Sequence, residues 1–278
     1  PVRAVATFSI LGDMVKNVGG DLVAVTVLVG PDADTHTYSP TPEDVKMLAQ
    51  ADLVVMNGLH LEGWIDRLIQ ASGCKAPVVI ASAGIKPLTM DDEDGGGAKV
   101  TDPHAWQDLE NGMRYVENIR AGLSAADPAH AGDYAKNAEA YGARLAAMHA
   151  WVRDAFARIP EDRRKVITSH DAFGYLGHAY GVTLLSPMGV STESEASARS
   201  VAGLIRQIRK EKVTALFVEN MTDPRLMEGI TRETGVKAGG ELFSDALSAP
   251  DGPAPTYLDM FRHNVTLMTQ AMAGEPQQ

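Results

Sequence analysis

Short apolar runs of strand length alternate with amphipathic stretches along most of the chain. The runs Val5–Ile10, Val23–Val29, Asp52–Asn57 and Pro77–Ser82 come first, and Lys165–Ser169, Val182–Ser186, Val213–Glu219 and Val236–Leu242 follow after a wide gap. Several are continuously apolar and rich in Val, Ile and Leu, as strands covered on both faces must be. Between them, Pro42–Gln50, Gly63–Ser72, Ser197–Lys212 and Pro224–Gly235 carry apolar residues at helical spacing. Strands alternating with helices predict parallel sheets and an α/β class. Two helix starts are marked by a capping residue before a proline, Thr41-Pro42 and Asp223-Pro224, because proline fits the first helical turn.

The gap is filled by a different pattern. Tyr134, Ala138, Tyr141, Leu145, Met148, Val152, Phe156 and Ile159 recur every three or four residues, which puts them on one helical face. The spacing predicts one helix from about Pro128 to Ile159, roughly 45 Å long at about 1.5 Å per residue. With four strands on either side, it reads as a stiff spine. The expected organisation is a lobe over residues 1–126, a linking helix over 127–160 and a second lobe over 161–278. By contrast, Met90–Lys99 holds four successive acids and three glycines, a composition that predicts a solvated loop without regular structure.

Composition narrows the function. The chain has 278 residues and a formal charge of −11, which argues against binding nucleic acid or an anionic membrane through phosphates. The single Cys74 excludes an internal disulfide and a cysteine-based metal site and reads as a small, half-buried apolar residue. No apolar run reaches the length of about 20 residues needed to span a bilayer. The chain opens Pro1-Val2-Arg3, which leads us to expect a processed, exported form. No phosphate-binding loop, dinucleotide fingerprint, serine-hydrolase elbow or His-Glu-x-x-His motif occurs.

Candidate chemistry lies in the histidines. His130, His149, His178 and His263 fall in or near predicted helices and have ordinary structural readings. His36 follows the second strand, His104 follows the acidic stretch, and His170 ends the fifth strand. Asp245 follows the last strand. All four occupy the edge where parallel sheets bind ligands. Three imidazoles and a carboxylate suit a tetrahedral Zn²⁺. On position alone, four unrelated surface residues explain the pattern equally well.

Longer motifs decide between these readings. Asp34-Thr35-His36-Thr37-Tyr38-Ser39-Pro40-Thr41-Pro42-Glu43-Asp44, Ala51 to Glu62, Asp102-Pro103-His104-Ala105-Trp106, Ser169 to Tyr175 and Ser191-Thr192-Glu193-Ser194-Glu195 together resemble the metal-specific solute-binding proteins of bacterial ABC importers, the zinc and manganese receptors of the ZnuA and AztC kind. The resemblance covers nearly the whole chain. It implies two α/β lobes, each with a mainly parallel four-stranded sheet, joined by a rigid helix, with one Zn²⁺ held between them by His36, His104, His170 and Asp245. In manganese receptors of this kind the third position is usually Glu, so His170 favours zinc. His60, Glu62, Trp106 and Glu219 are expected near the cleft, Trp106 as packing and Glu219 either as the partner of an imidazole N–H or, equally, as a salt-bridge partner.

The resemblance further implies a periplasmic or lipid-anchored monomer that captures Zn²⁺ and hands it to a membrane permease, and that is not an enzyme. A manganese or iron receptor, a zinc hydrolase using Glu62 or Glu219 as base, and a surface adhesin are the alternatives. Two departures stand out. Thr35 replaces the usual proline before the first ligand, leaving that backbone less fixed. The short acidic stretch 91–97 replaces a His-rich loop, and it could receive metal from a zinc carrier protein or be a remnant.

Overall fold

The computed structural model describes residues 1–91 and 97–274. The first sheet holds β1 (Val2–Phe8), β2 (Val23–Val29), β3 (Leu53–Met56) and β4 (Val78–Ile80), all parallel, in the order β2-β1-β3-β4. A small antiparallel ladder pairs β5 (Thr89–Asp91) with β6 (Lys99–Thr101). The second large sheet holds β7 (Lys165–Ile167), β8 (Thr183–Leu185), β9 (Leu216–Glu219) and β10 (Ala238–Leu242) in the order β10-β9-β7-β8, again all parallel. Numbered within each half, both sheets share one strand order. The two halves are therefore a structural repeat without a visible sequence repeat.

Alternation along the strands assigns the layers. Ala4, Ala6 and Phe8 face the large central core, while Val5 faces a smaller cluster with Leu28, Leu48, Val54, Ile65 and Leu68. That outer cluster is capped by α2 (Pro42–Ala49) and α3 (Ile65–Ser72). In the second half Val166, Ala215 and Phe217 face the central core, and Ile167 and Leu216 face Leu204, Ile208, Met227 and Ile230. Both faces of the central strands are covered, which explains their unbroken apolar runs, while the edge strand β4 leaves Val78 and Ile80 exposed.

The spine forms as its periodicity predicts. Here α5 runs from Ala131 to Ala157, preceded by a short 3₁₀ turn at Pro128–His130. The helix ends two residues short of the predicted Ile159; its seven stripe residues and Ile159 beyond it are buried in one core with residues of both sheets. Burying each large side chain of that stripe contributes on the order of 1.5–3 kcal/mol. Around α5 pack α1 (Ser9–Gly19), α4 (Leu109–Ala126), α6 (Gly174–Tyr180) and α9 (Tyr257–Ala273).

Several expectations need correction. Strand β1 ends at Phe8, and α1 starts at once with Ser9, so Ser9 and Ile10 belong to the helix. The fully buried Ile10 fits either period, which is why sequence alone misplaced it. Thr41 and Asp44 form the reciprocal capping box of α2. Helix α8 (Arg225–Thr234), however, begins one residue later than its Asp-Pro signal, and Asp223 accepts from Arg225 N instead. Of the acidic stretch, Met90, Asp91 and Lys99 lie in the β5–β6 ladder, with Lys99 Nζ 2.6 Å from Asp91 Oδ1. Residues 92–96 lie outside the described residues. Cys74 is half-buried against the outer cluster, as expected. No described helix is long and apolar enough to cross a membrane.

Candidate metal centre

Four side chains from four separate loops meet between the two sheets. His36 follows β2, His104 follows β6, His170 follows β7 and Asp245 follows β10. All four are buried, and one donor atom from each lies within 4.8 Å of the others. His36 Nε2 is 2.8 Å from Asp245 Oδ2 and 3.3 Å from His104 Nε2. His170 Nε2 is 3.0 Å from Asp245 Oδ2, and His104 Nε2 is 3.3 Å from Asp245 Oδ1. A tetrahedron with bonds of about 2.05 Å has edges of about 3.3 Å. Four of the six donor pairs, at 2.8–3.3 Å, thus stand near the separation a small four-coordinate cation requires. Asp245 Oδ1 is buried and accepts no hydrogen bond, as expected of an oxygen reserved for a cation.

Carboxylates behind the imidazoles set which nitrogen faces the centre. Asp102 Oδ1 lies 2.7 Å from His104 Nδ1 and also accepts from His104 N at 3.0 Å. Glu219 Oε1 lies 2.6 Å from His170 Nδ1, though off the line of a good hydrogen bond, while its Oε2 accepts from His170 N at 2.8 Å. In both cases Nδ1 is committed to a carboxylate, and Nε2 is left free to donate a lone pair. Glu219 also accepts from the hydroxyls of Ser169 and Ser244. Gly174 completes the Asp102 pocket, since a Cβ there would lie 2.8 Å from Asp102 Oδ2.

The charges are interdependent. Burial works to neutralise His104, but Asp245 and Asp102 outweigh it and lift its pKa to about 9. Burial is likewise overcome at His170, where Glu219 and then Asp245 push the value well up. Burial alone would raise Asp245, yet the three imidazoles hold it well below the ordinary carboxylate range. A divalent cation here would replace protons as the positive partner of Asp245.

The remaining expected residues divide. Trp106 is fully buried, lies edge-on to His104 with centroids 5.3 Å apart, and donates from Nε1 to Ser244 O at 3.0 Å. It therefore ties the His104 segment to the residue before Asp245, as does Gln107 Nε2 at 3.0 Å. Glu62 touches no imidazole. It accepts from Thr7 Oγ1, Asn57 N and Gly58 N, and Asn57 in turn donates to Pro103 O at 2.9 Å. Its effect reaches His104 through Asn57. His60 is exposed, at a left-handed φ of +65°, and forms no hydrogen bond or ion pair with the site residues.

Other contributors were not singled out as site residues by the sequence, although Tyr175, Asp34 and Thr192 fall within its longer motifs. The segment around His104 is gripped from the second half by three tyrosines: Tyr175 Oη donates to Asp102 O, Tyr257 Oη donates to Trp106 O, and Tyr180 Oη accepts from Leu109 N. The His36 loop is pinned as well. Asp34 Oδ1 accepts from His36 N at 2.9 Å, Trp64 Nε1 donates to Thr35 O at 2.8 Å, and Thr192 Oγ1 donates to Asp34 Oδ2 at 2.5 Å. These bonds fix the backbone that lacks the usual proline.

Known proteins agree with this architecture. Residues 4–271 match the family described as zinc-uptake complex component A, periplasmic. The chain is 35% identical to the iron-binding protein YfeA of Yersinia pestis, over 97% of this chain and 85% of that one. It is 34% identical to the manganese-binding lipoprotein MntA of Halalkalibacterium halodurans, over 98% and 89%. The periplasmic zinc binding protein TroA from Treponema pallidum superposes with a TM-score of 0.91 at 32% identity, over 98% of this chain and 99% of that one. The chain belongs to the ZnuA family of substrate-binding proteins of metal ABC transporters, which are binding proteins and not enzymes.

Proposed function

We propose that the chain is a zinc receptor: it takes up one Zn²⁺ outside the cell's inner membrane and delivers it to the permease of an ABC importer. His36, His104 and His170 would each ligate through Nε2 and Asp245 through a carboxylate oxygen. The observation that carries this reading is the donor set: three convergent imidazole nitrogens and one carboxylate, all buried and within 4.8 Å of one another. Mn²⁺ prefers more oxygen donors and a higher coordination number, and only one carboxylate reaches the centre. A full four-donor shell leaves no position for a reactive water, which disfavours a hydrolase. In the same reading residues 1–126 and 161–278 move as bodies about the linker 127–160, and the receptor works as a monomer.

The iron and manganese relatives support a second reading, in which the cargo is Mn²⁺ or Fe²⁺. Replacing His170 separates the two. His170→Glu supplies a second carboxylate, so zinc affinity should fall and the Mn²⁺ to Zn²⁺ preference should rise by about tenfold or more. If wild type already prefers Mn²⁺ and the variant does not change the ratio, the zinc assignment is wrong.

A further inference from the structure

His36 is the only one of the four proposed ligands whose side chain keeps contact with solvent, at 4% exposure against 0% for the others. It also lines a groove of about 940 Å³ walled mainly by the first half, with Glu193 contributed by the second. Its walls include Tyr38 and Trp64, whose rings meet edge-on with centroids 5.0 Å apart. Trp64 also holds the peptide before His36 through its bond to Thr35 O. The groove is therefore continuous with the metal centre and mechanically joined to its most accessible ligand.

The charge of this groove is unexpected. The chain carries −11 overall, yet the charged side chains lining the groove besides His36 are Lys46, Arg67 and Glu193, two positive and one negative. Lys46 and Arg67 are exposed and form no ion pair among the described residues. Asp44 accepts from Tyr38 Oη on the same wall, but Lys46 and Arg67 are the exposed charges at the rim, and they disfavour a bare divalent cation there. An anionic species carrying that cation meets attraction.

Resting on the zinc reading above, we infer that this groove receives zinc as an anionic polycarboxylate chelate, with Lys46 and Arg67 holding the carrier's free carboxylates while His36 takes the first coordination position. Each imidazole nitrogen then replaces a carboxylate oxygen on the cation. The aromatic wall accommodates the carbon frame of the chelator. The freed polycarboxylate, no longer bridged to His36 through the cation, is held only by the two exposed, solvent-screened cations and leaves as an anion into bulk solvent.

The test is stopped-flow loading of the metal-free protein with two sources, zinc citrate and zinc sulfate, followed by tryptophan fluorescence. In wild type, loading from zinc citrate should exceed the rate that the free ion in equilibrium with it can support. Lys46→Glu/Arg67→Glu should slow the citrate route by about tenfold and accelerate the sulfate route, because the groove then attracts the bare cation. Raising the salt to about 0.5 M should shrink both differences. A citrate route no faster than the free ion allows, or the same change in both routes, would overturn the inference while leaving the receptor reading intact. Zinc supplied on an Asp/Glu-rich peptide that loads faster than zinc citrate through the same two residues would overturn the small-molecule assignment. Failure of zinc to load from either source would count against the receptor itself.

Discussion

Glu219→Gln isolates what a carboxylate behind a ligand contributes. The side chain is 3% exposed and nearly isosteric with Gln, so the change removes charge and little else. Its two oxygens face donors: His170 N and Ser169 on Oε2, Ser244 and His170 Nδ1 on Oε1. A glutamine keeps one acceptor. If its carbonyl stays on His170 N, its NH₂ confronts His170 Nδ1 and drives the ring proton to Nε2, the nitrogen that the metal needs. The serine hydroxyls can rotate to accept, but the backbone N–H cannot. Loss of such a partner typically costs about 10–100-fold in metal affinity, or roughly 1.4–2.7 kcal/mol. Competition against a chromogenic chelator at neutral pH measures it. Ser244→Ala, which removes one donor and leaves the charge, should stay within about threefold. An affinity for Glu219→Gln within about twofold of wild type, in a normally folded protein, would refute the reasoning.

Three further outcomes are expected. In the metal-free protein His104 titrates at about 9, above the usual value near 6.5. Its stabilising contribution is therefore complete below about 6.5 and lost as the pH rises through 9. Thermal scans of the metal-free form should show falling stability over that window, while zinc affinity rises about tenfold per unit for each proton displaced. Trp106→Phe deletes the bond to Ser244 O and should cost about 0.5–1.5 kcal/mol in denaturant unfolding, with zinc dissociation accelerated. Gly112→Ala gains about 1 kcal/mol of helix propensity, but its Cβ would lie 2.5 Å from Tyr257 Oη. The overpacking cost of about 1–3 kcal/mol should win, and a stability increase in denaturant titration would show that Tyr257 gives way freely.

The sequence made the spine and the four convergent loops legible for different reasons. The α5 stripe has one period over seven buried residues, continued by buried Ile159 just past the helix end, and no strand pattern imitates it. The four site residues became readable only through the longer motifs around them, because isolated loop histidines carry no positional information. Glu219 was recognisable as the end of a buried strand. The tyrosine grip on the His104 segment was not, since Tyr175, Tyr180 and Tyr257 sit at least 71 residues from the backbone groups they hold. Asp34 was visible in its motif, but its bond to Thr192 spans 158 residues. His60 is the opposite case. Its motif lies close to the site in the chain, and the left-handed turn at Gly58, Leu59 and His60 leaves it exposed while Glu62 folds inward onto Asn57.

The central claim is that His36, His104, His170 and Asp245 form one zinc-selective centre. A competition titration of the metal-free protein with Zn²⁺ and Mn²⁺ at neutral pH, with stoichiometry determined, tests it most directly. The expected result is one tightly held Zn²⁺ per chain that excess Mn²⁺ does not displace and that is lost in Asp245→Ala. Displacement of zinc by Mn²⁺, or the absence of stoichiometric binding, would contradict it.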